Sequence, residues 1–396
     1  MIKENPYKFT VLALYVNYIL QGMAAIILSQ NMMGLIEQMN TTVSQFALVI
    51  SAIGFGRVLS LYTAGRLSDK YGRKLVVNIG MVCYIFFFGG ILISQNVYMG
   101  IFFAIFAGIS NAMLDTGTYP ALLEAMPELF DSMSVLNRAF ISIGQFILPL
   151  IVGFSIINDL HHGISFLFCL VILVINMIAI KYLPFPSINS EIKETKKDNL
   201  RPSISKFRKC LAGICLVLFG FTSVATFNIF VTWIPHVAQT VVGMEAATSV
   251  KLVSLYSIFS FVSVLTTSIL VKKWIKPIYL ILVYTTLSCI SLLALALSPS
   301  VETTYLAVFG IGFFATGGIW QLGLTTLLEL YSKNKGRVTS YYSFLTSIAL
   351  MIMPFITGQL ALDQIMLFNS MVTLIGIILA ITTLICIGKP LKKEIN

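Results

Sequence analysis

The feature that most constrains this chain is its alternation of long apolar runs with short polar breaks that hold nearly all of its charge. A hydrocarbon core about 30 Å thick is crossed by about 20 mostly apolar residues in helix, and only helices or closed barrels satisfy their backbone groups there. The runs are long and continuous, which excludes a barrel. Of 396 residues, 57% are hydrophobic and 11% are charged, against about 25% charged in an average soluble domain. Spans are expected near residues 9–36, 44–64, 75–95, 98–123, 138–158 and 163–183 in the first half, and 209–235, 247–271, 277–298, 303–329, 338–360 and 364–388 in the second. The first span lacks a small-residue cleavage site and exceeds a signal-peptide core, so it is expected to be retained.

Short loops rich in Lys and Arg stay in the cytoplasm. Here 24 of the 26 basic residues fall in one alternating set of breaks and the two termini. The opposite set offers Glu37, Asp159, Glu245, Glu302 and Asp363 and no basic residue. Both termini are therefore expected in the cytoplasm, which requires an even number of spans. The same rule accounts for the net charge of +10, so no nucleic-acid partner is expected.

One basic break, Gly65-Arg66-Leu67-Ser68-Asp69-Lys70-Tyr71-Gly72-Arg73-Lys74, reads as a tight loop between membrane helices. Gly65 and Gly72 permit close approach, Asp69 can accept hydrogen bonds from an opposing helix N-terminus, and Arg73 can hold a carboxylate at a neighbouring helix end. The plainer alternative is a charged loop that only sets topology. The spacing resembles the signature loop between helices two and three of the major facilitator superfamily, with Lys70 where many members have Arg. That resemblance implies an all-α fold of twelve transmembrane helices in two pseudo-symmetric six-helix bundles, with a solute site between them. It also implies that Gly65, Asp69, Gly72, Arg73 and Lys74 form a conformational gate.

Sliding the chain on itself by 205 residues aligns Leu122-Leu123-Glu124 with Leu327-Leu328-Glu329, Pro149 with Pro354, and Gly153 with Gly358. Two related halves are expected, residues 1–183 and 209–396, joined by a central cytoplasmic loop over 184–208 that is rich in Lys, Ser, Asn and Pro. The counterpart of the Gly65–Lys74 loop, at 272–277, keeps its basic charge and loses the glycines and the aspartate.

An ionisable group at the centre of a span costs at least about 2.5–3.5 kcal/mol, so it marks function by default. Asp115 lies inside the fourth span with Asn111 and Tyr119 one turn to either side, and Arg57 lies near the middle of the second. Asp115 is expected to carry a coupling proton, and Arg57 to face either Asp115 or an anionic substrate; a permanent ion pair is the structural alternative. Neutral candidates for the solute site are Asn17, Gln21, Gln145, Asn228, Trp320 and Gln321; each singly is better read as bridging helices, and as a set they point to a polar cavity with aromatic walls. In the superfamily, odd-numbered helices line the cavity at such positions. Glu124, Arg138, Glu329 and Arg337 sit at basic helix ends and join the gating set, with Arg138 also able to reach the cavity.

No phosphate-cradling loop is present, and the six cysteines read as core residues without paired spacing. His161, His162 and His236 are expected at external helix ends in surface roles. No catalytic residue, metal site or cofactor is assigned, and the chain is not expected to be an enzyme. The segment from Asn111 to Glu124, with Asn5-Pro6-Tyr7 and the stretch from Gly144 to Leu150, resembles a group of bacterial inner-membrane carriers, some linked to shikimate-like or quinate-like acids. Relative to drug exporters in the superfamily, the fifth span lacks the Gly-Pro pair and the fourth lacks an arginine. A proton-coupled importer of a small organic solute, working as a monomer in the bacterial plasma membrane, is therefore expected. The alternatives are an exporter of a drug or metabolite and a transport-dead receptor.

Overall fold

The computed structural model describes residues 6–126, 130–186, 205–273, 275–331 and 335–387, and within them all side chains except those of 123, 130–135, 272, 273 and 335–337. Most of the expected linker, residues 187–204, and the Arg337 side chain lie outside the described residues. Described secondary structure is helical throughout. It comprises α1 (Lys8–Gln30), α2 (Met32–Gln38), α3 (Val43–Tyr71), α4 (Arg73–Ile93), α5 (Val97–Ala125), α6 (Phe130–Ile157) and α7 (Gly163–Tyr182). There follow α8 (Lys206–Thr240), α9 (Ala246–Lys273), α10 (Pro277–Leu297), α11 (Val301–Gly310), α12 (Ile319–Leu330), α13 (Lys335–Thr357) and α14 (Leu362–Ile387). Twelve helices are long and apolar enough to cross a membrane, with α11 and α12 forming one crossing and α2 none. Large apolar side chains such as Phe102, Ile175 and Ile385 stay exposed on the outer faces, as lipid requires.

Local chemistry sets the starts of several helices. Thr42 caps α3 by accepting from the Gln45 amide, Asn96 caps α5 by accepting from Met99, and Ser300 forms a capping box with Thr303 on α11. Within the first half α1 packs on α6 and α7, and α5 on α3 and α4; within the second, α8 packs on α13 and α14, and α10 on α14. Buried asparagines fasten each half in a similar way. Asn176 on α7 donates to Ala13 O and Asn17 Oδ1 on α1, at 2.9 and 2.8 Å, and Asn369 on α14 donates to Thr226 O on α8 at 3.0 Å.

The halves meet where α6 crosses α9 and α3 crosses α13. A Cβ added at Gly54 would strike the Met351 backbone, and one at Gly358 would strike Ala47. Ser254 donates to Phe146 O at 2.8 Å, and Ser142 lies 3.4 Å from Ser260. The Ala47–Gly358 contact sits at the acidic ends of α3 and α13. Toward the basic end, a Cβ added at Gly65 would meet nothing within 4 Å.

Four boundaries differ from expectation. The first span ends at Gln30, and Asn31 turns the chain into short α2 instead of continuing to residue 36. The Gly65–Lys74 segment is not a loop: α3 runs to Tyr71, and a single residue, Gly72 at φ 96°, separates it from α4. Its Arg, Leu and Lys are good helix formers, so only the glycine breaks the helix. The fifth span begins eight residues early, at Phe130. The tenth is interrupted by a π-helical turn at Ile311–Thr316 and by Gly317-Gly318, with Gly318 at φ 144°. Four glycines within nine residues weaken the α-helix there, and Ser263 Oγ donates to the Phe313 carbonyl beside the break.

Candidate functional site

Arg57 and Asp115 are brought together by a close crossing of α3 and α5. A Cβ added at Gly108 would strike the Ile53 and Arg57 backbone, and one at Gly56 would strike Ile105. Across this crossing Arg57 Nη2 lies 2.9 Å from Asp115 Oδ2, with the two side chains 21% and 30% exposed. Gln21 Nε2 on α1 donates to the other carboxylate oxygen at 2.9 Å. Glycines also set the α1–α6 crossing, where Gly22 abuts the Ile141 backbone and Gly144 the Ile19 backbone.

Arg138 on α6 stands apart from the basic-end cluster, the first of the two places that the sequence left open to it. Its guanidinium lies 5.5 Å from the centre of the Phe227 ring on α8, a cation–π contact across the halves. It is within electrostatic reach of Tyr256 on α9, whose hydroxyl lies 2.6 Å from Thr316 Oγ1 in the π-helical turn. No carboxylate pairs with Arg138 among the described residues, and its Nε has no protein partner.

Several expected site residues share that condition. Gln21 Oε1, Arg57 Nε, Gln145 Oε1, Asn228 Oδ1, Trp320 Nε1 and Gln321 Oε1 are buried atoms without a protein partner. An unpaired buried polar atom costs about 1–3 kcal/mol, so these side chains are a poor way to hold helices together and are suited to receive a polar guest. Asn17 Nδ2 is a further buried atom of this kind, whereas Asn111 differs. Asn111 Oδ1 accepts from Tyr84 Oη at 2.7 Å and ties α5 to α4, and Asn17 Oδ1 is occupied by Asn176. Tyr119 is half-buried on the same helix as Asp115.

At the basic end, Arg73 joins three elements. Its Nη1 donates to Ser68 Oγ and Asp69 Oδ1, both at 2.7 Å, and its Nε lies 3.2 Å from Glu124 Oε1 on α5. Asp69 is 77% exposed and bonds Arg73 one turn ahead instead of an opposing helix. Lys74 Nζ donates to Lys181 O and Leu183 O, closing the end of α7. Glu329 occupies the last turn of α12, in the place that Glu124 takes on α5.

A sequence profile described as Major Facilitator Superfamily matches residues 10–316 and again 252–394. The chain belongs to that superfamily. It is 36% identical to the inner membrane transport protein YdiM of Escherichia coli (strain K12) over 96% of this chain and 94% of the relative. It is 34% identical to the uncharacterized MFS-type transporter YfkL of Bacillus subtilis (strain 168), over 93% of each. Among solved structures, a D-xylose-proton symporter superposes with a TM-score of 0.78 at 12% identity, over 95% of this chain and 96% of that one. This superfamily member is thus a multi-pass membrane transporter of the alternating-access type that takes a small solute, and not an enzyme.

Sequence reasoning missed Phe227, Tyr256 and Thr316, because aromatic and hydroxyl residues in an apolar span carry no sign of which way they face. It expected the three histidines in surface roles at the acidic helix ends; His161 is exposed there, His162 and His236 are partly buried, and all three line one cavity on that face. Five of the six cysteines are buried as expected of core residues, and Cys210 is exposed.

Proposed function

We propose that this transporter imports a small hydroxylated organic anion together with protons. The charge balance inside the spans carries this reading: Arg57 is paired with the carboxylate of Asp115, while the Arg138 guanidinium lies against the Phe227 ring with no carboxylate partner among the described residues. With Asp115 ionised the three groups sum to one positive charge, and with Asp115 protonated to two. Protonation would remove the carboxylate's hold on Arg57 and free that guanidinium for a solute carboxylate beside Arg138. Loss of the proton would restore the 2.9 Å pair and weaken the anion's hold. Binding of anion and proton therefore favour each other, which is the requirement for symport.

Asn17, Gln21, Gln145, Asn228 and Gln321 supply hydrogen bonds suited to hydroxyls, with Phe227 and Trp320 as walls for a ring face. Asn111 and Tyr119 support this surface from behind. The basic face is assigned to the cytoplasm by the distribution of Lys and Arg. In this reading these groups line one chamber, about which the halves 1–183 and 209–396 rock. Gly65, Asp69, Gly72, Arg73 and Lys74, with Glu124, Glu329 and Arg337, gate its cytoplasmic end. One chain holds the whole chamber, so a monomer suffices.

Uptake into proteoliposomes tests class and direction together. A labelled panel of hydroxy acids, sugars and organic cations is offered with the pH gradient imposed in either orientation. Accumulation of an acid when the trans side is alkaline supports import; exclusive movement of cations against a proton influx would replace it with efflux.

A further inference from the structure

All three histidines of the chain, His161, His162 and His236, line one cavity of about 340 Å³ on the acidic face. It lies between the halves, walled by the end of α1, α2, α6, α8 and α9. Gln30 is the residue whose state demands explanation. It is 4% exposed, it lines the cavity, and neither its Nε2 nor its Oε1 has a protein partner. Its neighbours Ser29 and Asn31 are, by contrast, bonded to backbone carbonyls within one turn.

The histidines divide into a held one and two available ones. His162 Nε2 lies 2.8 Å from Gln38 Oε1, and because the Gln38 amide nitrogen donates to Ile91 O and Ser94 O, that oxygen accepts and the ring donates. His161 Nδ1 accepts from the Gly163 amide at 3.0 Å, which leaves Nε2 to carry the proton, and its ring stacks on His162 at 4.1 Å. His236 has no described hydrogen bond and sits one turn from Gln239 on α8. Val152, Ile156, Pro235 and Val250 form the apolar wall, and no Asp, Glu, Lys or Arg lines the cavity.

This cavity is distinct from the chamber. Gln30 is nine residues beyond Gln21 on α1 and His236 eight beyond Asn228 on α8, which is about 12–14 Å at 1.5 Å per helical residue. Between the two levels Phe230 packs against Tyr256 with ring centroids 6.2 Å apart, and Trp233 Nε1 donates to Thr357 Oγ1 at 2.8 Å.

We infer that this cavity is a second solute site, on the acidic face, that takes a hydroxylated organic acid before it enters the chamber; the inference rests on the solute class proposed above. The Gln30 amide offers a paired donor and acceptor to a hydroxyl group, and His161 and His236 offer imidazole donors to a carboxylate. The apolar wall receives the ring face. The lining itself holds no carboxylate to pair with an organic cation.

Calorimetric titration of the full chain in lipid nanodiscs tests this, with shikimate and quinate as probes and choline as the cationic control. The central site is removed by Arg138→Gln, with size-exclusion behaviour checked for folding. The expected result is about two equivalents of acid bound by the wild type and one by Arg138→Gln. Adding His236→Ala should then weaken that remaining binding about tenfold, as for loss of one hydrogen bond to a charged group, and adding Gln30→Ala about fivefold, as for loss of one to a hydroxyl. In an otherwise wild-type chain, Gln30→Ala should raise the KM for uptake and leave the maximal rate within about twofold. A single equivalent in the wild type that vanishes in Arg138→Gln would overturn the second site and leave the central reading standing. One equivalent that survives Arg138→Gln and is lost with Gln30→Ala would overturn the central reading alone. Binding of choline as strong as that of the acids, or no binding of either acid to any variant, would overturn the inference.

Discussion

Arg57 Nη2 and Asp115 Oδ2 lie 2.9 Å apart across the α3–α5 crossing, and Gln21 holds the second oxygen of the same carboxylate. Each charge is the other's main compensation within the membrane. Removing one partner should therefore destabilise more than removing both. The pair is partly exposed, so the loss should sit below the about 3–5 kcal/mol of a fully buried pair. Thermal unfolding in detergent should show Arg57→Gln below the double variant Arg57→Gln/Asp115→Asn. A double variant less stable than either single would show that the pair does not couple.

Arg138 is held over Phe227 by a cation–π contact and has no described carboxylate. Losing an anion partner in such a site costs about 2–5 kcal/mol, so Arg138→Gln should weaken binding of the transported acid by at least about thirtyfold. Arg138→Lys should recover part of it, since charge returns without the planar fork. Direct binding assays on all three forms check this, and equal affinities would remove Arg138 from the site.

Gly54 on α3 abuts the Met351 backbone of α13. Gly54→Val should wedge the halves apart toward the acidic face and bias the transporter to the state open on that side. Spin-label distances across the α3–α13 ends should lengthen at the acidic face, with uptake reduced at least about tenfold. Unchanged distances would mean that the crossing is not a closure point.

His162 is pushed below the usual imidazole pKa by burial and by His161 beside it, with Glu37 opposing. A histidine with a lowered folded pKa favours the neutral form. Its contribution to stability is present above the unfolded value of about 6.5 and is lost as pH falls from there through the lower folded value. Thermal stability should drop across that acid window in the wild type, and the drop should be smaller in His162→Gln, which keeps a donor for Gln38. An equal acid slope in both would assign it to other groups.

The number of crossings and the alternating charge were legible because lipid forces every span to be long, apolar and helical. The breaks inside spans were not. Whether Asn31, or Gly317-Gly318, interrupts a run depends on carbonyls finding partners on neighbouring helices, as Phe313 finds Ser263. Asp115, Arg57 and Gln21 stood out as polar residues in apolar helices, and the fold brings those three together. Arg138 could be named but not placed, because its direction is set by the α6–α9 crossing. Asn111 looks identical in sequence to the site residues, and only its bond to Tyr84 separates it.

The central claim is that Asp115 carries the coupling proton and exchanges it against its bond to Arg57. Accumulation of a labelled hydroxy acid by proteoliposomes under an inward proton gradient, compared between wild type and Asp115→Asn, tests it most directly. The expected result is concentrative uptake by the wild type and none by Asp115→Asn, with solute counterflow retained in the variant. Concentrative uptake by Asp115→Asn at the wild-type level would contradict the claim.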